Sequence, residues 1–338
     1  MSETLASGRP SAATPPAPGG LRARLSSVSR ADALRWVRDN GVYLALAVLL
    51  VFDLFFTPRF VTYSNLNQQV VSCTRVIVVA LGMALAIGTE GIDLSVGAVM
   101  ALSGALLVEF SGLPAIVAIL LALLAGAFVG ALNGSLIAYV GVQPIVATLA
   151  FLFAGRSIAT LLLYGHDATI QSDTINKISS GSIFGVRGLI IAALVPVLLV
   201  SFVVRKTTFG RRVVAIGDNL RASYLSGLPV KTTLILVYVT SGVLAAWAGV
   251  MDTSSIESAS ALSSGLSYEL FAITAVVVGG TPLSGGRIRV VNTVVAAIFM
   301  QLLRSTLTFH NEPDAISQMI TAVVIIVAVF VSRVRARA

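Results

Sequence analysis

The chain has few charged residues, since they make up only 11% of its 338 residues, against about a quarter in soluble domains. This scarcity excludes a water-soluble globular protein, and a hydrophobic fraction of 56% indicates a polytopic membrane protein. Aromatic residues are also few, at 7% beside 29 glycines, which favours closely packed helices over a barrel of lipid-facing strands. The single cysteine, Cys73, excludes an intrachain disulfide.

The sequence also lacks the motifs of a nucleotide-binding or catalytic protein. Its three lysines, Lys177, Lys206 and Lys231, follow Asn, Arg and Val, so there is no Gly-Lys-Ser/Thr to hold the β- and γ-phosphates of ATP. His166 and His310 stand alone, without a ligand set or a Ser/His/Asp or Cys/His grouping. We therefore predict no catalytic residue, no metal site and no cofactor bound by this chain.

The net charge of +8 reflects membrane topology, because the Lys and Arg residues flank apolar runs. We therefore expect no nucleic-acid partner.

Residues 1–40 are rich in Arg, Pro, Gly, Ala and Ser, which predicts a disordered basic cytoplasmic tail; a mitochondrial transit peptide is a weaker alternative. Residues 334–338 are expected to form a short cytoplasmic C-terminal tail.

Ten apolar runs can be delimited in the body of the chain, residues 41–333, and several are shorter than the ~20 residues of a simple span. The runs are 42–57, 70–88, 93–108, 114–139, 144–164, 187–204, 232–251, 268–280, 290–303 and 315–332. Threading ten crossings from a cytoplasmic N-terminus puts seventeen Lys and Arg residues inside and four outside. We predict an all-α integral membrane protein with about ten transmembrane helices, some short or broken, and both termini cytoplasmic.

The densest polar segment within the apolar body is Gly88–Gly97, which contains Glu90, Asp93 and Ser95. Carboxylates at membrane depth are costly unless they face protein, water or a counter-charge. One interpretation is a broken helix that presents these groups to a polar solute or a gate. The other is a tight cytoplasmic turn in which Asp93 caps the next helix. The two interpretations are compatible.

Small residues recur every fourth position at Ala122, Gly126, Gly130 and Gly134, which predicts close helix packing on one face. Asn133 lies beside that face and could hydrogen-bond a solute or a neighbouring helix. Arg75 and Arg156 lie within apolar runs, where an arginine either pairs with a carboxylate or carbonyl or lines a path.

Two further segments interrupt the apolar pattern. Gly279–Gly286 contains four glycines and a proline, and together with Gly88–Gly97 it suggests an internal duplication, although no residue-by-residue repeat is evident. Residues 205–231 form a long basic loop that predicts two short helices, with Asp218 or Asn219 as a cap and Gly227 as a left-handed terminator. Such helices dock on a partner protein or rest on anionic membrane lipid.

The motif Glu90–Gly97, followed much later by Phe209-Gly210-Arg211, Ala215–Asn219, Ala222 and Ser226-Gly227, resembles the membrane permease subunit of bacterial ATP-binding-cassette importers for monosaccharides. This is the family of the ribose, xylose and galactofuranose permeases, and the resemblance runs from about Gly41 to Arg333. The segment 309–313 is similar to the galactofuranose branch. Asp218, Ser223 and Leu228 depart mildly from the family pattern.

The resemblance implies a set of partners: a cytoplasmic ATPase that binds the ATP, an extracytoplasmic sugar-binding protein, and a second permease copy or paralogue, all at the bacterial inner membrane. The binding protein would land on the polar outer loops 165–186 and 252–265. The residues implied for ATPase coupling are Gly210, Arg211, Gly217, Asp218, Asn219, Ala222 and Gly227. The residues we assign to the substrate path or gate are Glu90, Asp93, Ser95, Asn133, Gln143 and Arg156.

Two alternatives to an importer remain at this point. The first is a secondary transporter driven by a proton or sodium gradient, in which Glu90 and Asp93 would carry the coupling ion. The second is an intramembrane enzyme acting on lipid, which requires a catalytic cluster that the sequence does not show.

Overall fold

The computed structural model describes residues 30–326 except 171, 184, 312, 314, 317, 321 and 325. The chain divides into two compact units, residues 1–41 and residues 42–338. In the first unit, residues 30–41 are helical. Alanine, leucine and arginine make up most of residues 30–38 and are good helix formers. Residues 1–29 and the 334–338 tail lie outside the described residues.

The structure is built from helices joined by short connections. In chain order the helices of the described part are α1 (Arg30–Phe56), α2 (Tyr63–Gly88), α3 (Val96–Glu109), α4 (Ala115–Ser135), α5 (Pro144–Leu162), α6 (Asp173–Ser180), α7 (Gly188–Lys206), α8 (Thr208–Asp218), α9 (Leu220–Leu225), α10 (Val230–Ile256), α11 (Tyr268–Val278) and α12 (Val290–Phe309). A turn of π-helix, Leu136–Val140, extends α4.

Four two-residue strands lie in the connections at one end of the helices. Strand β1 (Ala168–Thr169) pairs antiparallel with β4 (Ser258–Ala259), with Ala168 opposite Ala259. Strands β2 (Ser182–Ile183) and β3 (Val186–Arg187) form a small hairpin before α7. The β1–β4 pair ties the connection after α5 to the connection after α10.

Six helices of the described residues are long and apolar enough to cross a membrane: α2, α4 with its π turn, α5, α7, α10 and α12. Shorter apolar helices are Asn40–Phe56, α3 and α11. Every predicted apolar run up to residue 303 overlaps one of these helices, and the described residues of 315–326 are helical as well. The end of the last run, 327–332, lies outside the described residues. The prediction of an all-α, multi-pass membrane protein is confirmed.

Helices α2 and α10 form the centre of the bundle. Val76 to Gly88 of α2 are all buried, and α10 packs against α2, α3 and α4. Arg75 of α2 donates to Asp252 Oδ1 of α10 at 2.5 Å and to Ser255 Oγ at 3.0 Å. The sequence left open whether Arg75 pairs with a carboxylate or carbonyl or lines a path. The structure shows that it pairs with a carboxylate.

The small-residue face of α4 packs against α10, as predicted. A Cβ added to Gly126 would collide with the carbonyl oxygen of Gly242, and one added to Gly130 would collide with that of Tyr238. At Gly134 the nearest atom would be Ile235 Cα, at 2.7 Å. Glycine at these positions lets the two backbones approach one another directly.

Candidate functional site

A cavity of about 480 Å³ lies beside the connection between α2 and α3. It is bounded by Thr89–Ile92, by the connection after the π turn and by α9 and α10. Its polar side chains are Thr89, Glu90, Gln143, Tyr224 and Tyr238. Two of the six residues assigned from the sequence to the substrate path, Glu90 and Gln143, therefore line the same cavity.

Glu90 is exposed and adopts a left-handed backbone conformation, with φ of 64°. Few residues other than glycine adopt this conformation. It is held by two backbone hydrogen bonds that end α2, from Glu90 N to Ile87 O at 2.9 Å and from Gly91 N to Ala86 O at 3.0 Å. The helix thus ends at the cavity, and Glu90 forms part of its wall.

Tyr238 is a cavity residue that the sequence did not reveal. It is fully buried on α10, and its hydroxyl has no hydrogen-bond partner among the described residues. A Cβ at Gly91 would collide with this hydroxyl, so glycine is required there. A buried hydroxyl without a partner costs about 1–3 kcal/mol, so Tyr238 places an unsatisfied polar group behind the cavity wall. Its one sequence signal was a tyrosine within a largely apolar run.

Asp93 lies at the centre of a buried hydrogen-bond network behind the cavity. Its Oδ1 accepts from Ser95 N at 3.0 Å and Ser95 Oγ at 2.5 Å, and its Oδ2 accepts from Ser241 Oγ at 2.7 Å. Asn133 Nδ2 donates to Ser95 Oγ at 3.1 Å. The network joins the start of α3 to α4 and α10, and it groups three predicted path residues: Asp93, Ser95 and Asn133.

Asp93 does not cap α3 in the usual manner. The backbone N–H that it accepts belongs to Ser95, the residue immediately before the helix begins, and not to the first turn. The carboxylate is held by two hydroxyl donors and one backbone amide donor, and it makes no ion pair among the described residues. Such bonds can exchange partners without separating opposite charges.

Arg156 belongs to a different polar cluster. Its guanidinium donates to the backbone carbonyls of Ala261 at 2.9 Å and Leu262 at 3.0 Å. Beside it lies Glu269 of α11, whose Oε2 is buried without a hydrogen-bond partner in the described part of the chain. Sequence reasoning missed Glu269; its signal was one acidic residue in the first turn of an apolar run.

The three glycine-containing segments singled out from the sequence meet at one point, which we call the glycine junction: Gly88, Gly217 and Gly285–Gly286. Gly286 N donates to Gly88 O at 3.2 Å. A Cβ at Gly217, the penultimate residue of α8, would collide with Gly88 O and would lie 2.6 Å from Gly286 N. The loop 205–231 therefore contacts, through backbone atoms, the segment that carries Glu90.

The loop 205–231 has the predicted two helices, α8 and α9. Asn219 is the cap, because its Oδ1 accepts from Ala222 N at 2.8 Å, and Gly227 is left-handed with φ of 74°. The residues assigned to ATPase coupling divide into two groups. Gly210 and Gly217 are buried, whereas the others are exposed: Arg211, Asp218, Asn219, Ala222 and Gly227.

Gly210 is buried for the same reason as Gly217. A Cβ at this position would collide with the carbonyl oxygen of Val204, in the last turns of α7. Glycine therefore allows α8 to fold back against the end of α7. The exposed members of the group are left free to form a surface on the segment that ends at the glycine junction.

The chain matches the family model described as "branched-chain amino acid transport system / permease component" over residues 66–329. It is 36% identical over 262 residues to a fructose import permease of Bifidobacterium longum, covering 75% of this chain and 74% of the relative. Identity is 34% to the galactofuranose transporter permease of Escherichia coli K12, covering 89% and 91%. It is 33% to the ribose import permease of that strain, covering 88% and 94%.

No solved structure is significantly similar to the chain. The family model covers well over half of the residues, and the relatives are aligned over most of their own length. The motifs at Glu90–Gly97 and Phe209–Gly227 both fall within the matched region, so the resemblance stated from them is confirmed. The chain belongs to this family of transport-system permease components.

Proposed function

We propose that this chain is the membrane-spanning subunit of a bacterial ATP-binding-cassette importer and forms the translocation path for a monosaccharide. The observation that carries the proposal is the glycine junction, where α8 contacts the segment bearing Glu90. The substrate class is supported by relatives named for the import of fructose, galactofuranose and ribose.

In this proposal the chain crosses the bacterial inner membrane about ten times, with both termini in the cytoplasm. Successive crossings require connections to alternate between two ends of the bundle. The contacts fit this alternation: Gly88, Gly217 and Gly286 meet at one end, and β1 pairs with β4 at the other. The end with the glycine junction carries most of the basic residues and is therefore assigned to the cytoplasm.

The partners are a cytoplasmic ATPase, a second permease copy or paralogue, and an extracytoplasmic sugar-binding protein. Closure of the ATPase on ATP displaces the exposed surface of α8 and α9. Gly217 passes this displacement to Gly88, and so to the segment leading to Asp93. The inward-open and outward-open states must differ in free energy by an amount that nucleotide binding can overturn.

The sugar binds the permease weakly, through hydroxyl hydrogen bonds to Glu90, Gln143 and Tyr238 at the cavity. Tight capture belongs to the binding protein, which lands on the outer loops 165–186 and 252–265. The polar networks around Asp93 and Arg156 control access along the path.

The test is uptake of radiolabelled monosaccharides into vesicles containing the permease and the ATPase that copurifies with it, with the binding protein supplied outside. We expect uptake of at least one sugar to require ATP on the side of the membrane where the ATPase is bound. This uptake should also continue in the presence of a protonophore. Uptake by the permease alone, abolished by a protonophore, would contradict the proposal and favour a gradient-driven transporter.

A further inference from the structure

A long apolar groove of about 730 Å³ runs between α7 and α10. Along α7 its wall is formed by Ala192, Val195, Leu199 and Val203, which lie on one helix face. Phe209 of α8 lines the groove beyond Val203. From Ala192 to Val203 the wall measures roughly 17 Å at 1.5 Å per residue, which is close to half of the ~30 Å hydrocarbon core of a bilayer.

The groove has no free polar group for a solute. Its two polar side chains already have partners within the protein: Thr240 Oγ1 donates to Leu236 O at 2.7 Å, and Trp247 Nε1 donates to Ala192 O at 2.8 Å. Burying a hydroxylated sugar there would leave its donors and acceptors unsatisfied. The groove therefore suits a hydrocarbon chain.

Positive charge gathers at one end of the groove. Lys206 follows Val203 by three residues and so continues the groove face of α7, and Arg205 is its neighbour. Arg212 lies one turn beyond Phe209 on α8. None of these three cations makes an ion pair among the described residues. The other end of α7 has only Arg187.

We propose that this groove binds an acyl chain of an anionic phospholipid, whose headgroup lies against Arg205, Lys206 and Arg212. The apolar wall of the groove is about as long as the acyl tail of a lipid in one leaflet. The three cations that make no ion pair lie where the headgroup of that lipid would be. Because Phe209 and Arg212 belong to α8, the bound lipid contacts the helix that ends at the glycine junction. Lipid binding does not depend on the substrate proposed above.

Native mass spectrometry of the purified permease measures this binding directly. Dioleoyl phosphatidylglycerol and dioleoyl phosphatidylcholine have the same tails and differ in headgroup charge. We expect preferential retention of the phosphatidylglycerol, and a loss of its affinity on the order of tenfold or more in the double variant Lys206→Gln with Arg212→Gln. Arg187→Gln, which removes one cation at the opposite end of α7, is the control and is expected to change affinity less than twofold.

The groove itself is tested with two adjacent leucines of α7. Leu199 lines the groove and is 59% exposed, whereas Leu198 is 60% exposed and is not part of its lining. Leu199→Trp fills the groove and should reduce phosphatidylglycerol binding at least fivefold, while Leu198→Trp should leave it unchanged. If Leu199→Trp does not elute as the wild type does on size exclusion, Leu199→Phe replaces it.

Three results would overturn the proposal. The first is equal binding of the two lipids. The second is an equal change in phosphatidylglycerol affinity in a variant and its control, either for Lys206→Gln with Arg212→Gln against Arg187→Gln or for Leu199→Trp against Leu198→Trp. The third is a cross-link at Leu199→Cys between two permease copies, which would show that a second copy covers the groove. Preferential retention together with both expected differences between variant and control supports the lipid site.

Discussion

Glycines mediate two kinds of contact in this molecule. Between α4 and α10, Gly126, Gly130 and Gly134 bring two long helices together over more than two turns. At the glycine junction, Gly217 touches Gly88 and Gly286 at a single point, where the segments involved end or connect helices. The same residue type thus serves an extended interface in one place and an isolated contact in the other.

The difference indicates two roles. The α4–α10 interface cannot shift without separating several contacts at once, and the neighbouring Arg75–Asp252 pair fixes α10 to α2 as well. The four glycines of the glycine junction share one backbone hydrogen bond, at 3.2 Å, between segments that end or connect helices. We therefore expect the first region to determine stability and the second to determine coupling to the ATPase.

The largest expected effect on stability is that of Asp252→Asn. It leaves Arg75 with no carboxylate partner in a site where both side chains are only 11–12% exposed, and breaking such a pair costs about 3–5 kcal/mol. The loss is measured by thermal unfolding of the purified protein in lipid nanodiscs. Glu257→Gln, an exposed acid at the end of the same helix, is the control and should cost below about 0.5 kcal/mol.

Gly130→Ala should be the next most destabilising change. Its Cβ would collide with backbone atoms of Tyr238 in the middle of the α4–α10 interface, and overpacking of this kind costs about 1–3 kcal/mol. The midpoint of unfolding should fall accordingly, while Gly112→Ala, which has open space around it, should leave the midpoint unchanged. Equal midpoints for the two variants would show that the interface is not rigid.

Asp93→Asn tests a network that lies between the two regions. An amide cannot accept hydrogen bonds at both side-chain positions, so one of the Ser95 and Ser241 donors loses its acceptor. We expect a stability loss of about 1–2 kcal/mol and sugar uptake reduced roughly tenfold. Unchanged uptake would remove Asp93 from the transport mechanism.

Gly217→Ala should destabilise the protein less than Gly130→Ala, although the two clashes are similar in kind. The glycine junction joins two helix ends and one connection at a single point, where the segments can move apart more easily than two long packed helices, so the cost should fall at the low end of overpacking, about 1 kcal/mol. Unfolding midpoints of the two variants, measured side by side, provide the comparison. A larger loss for Gly217→Ala would place the junction among the rigid contacts.

The smallest expected effect on stability is that of Tyr238→Phe. The variant removes a buried hydroxyl that has no partner among the described residues, so stability should stay the same or rise by up to about 1 kcal/mol. If the hydroxyl binds the sugar, the concentration for half-maximal uptake should rise several-fold with little change in maximal rate. Tyr139→Phe, on an exposed tyrosine, is the control.

The sequence predicted the features that depend on local pattern. The apolar runs predicted the long and short apolar helices up to α12, and the four-residue spacing from Ala122 to Gly134 predicted close packing on one face of α4, although not its partner α10. Asn219 and Gly227 predicted the ends of α9. These features depend on hydrophobicity, small size and backbone conformation, which neighbouring residues determine.

Features that join distant segments could not be predicted in this way. Ser241 lies 148 residues from Asp93, and Arg75 lies 177 residues from Asp252. Tyr238 and Glu269 were hidden within apolar runs, because a single polar residue in such a run reveals its importance only when its neighbours are known. The three glycine segments were each recognised, but their meeting point required the folded structure.

Coupling through the glycine junction is measured most directly by the number of sugar molecules imported per ATP hydrolysed in reconstituted vesicles with the partner ATPase. We expect Gly217→Ala to lower this ratio at least tenfold while ATP hydrolysis continues and the permease remains folded, and Gly112→Ala to leave the ratio as in the wild type. A wild-type ratio in Gly217→Ala would contradict the claim that displacement of α8 reaches the transport path through the glycine junction.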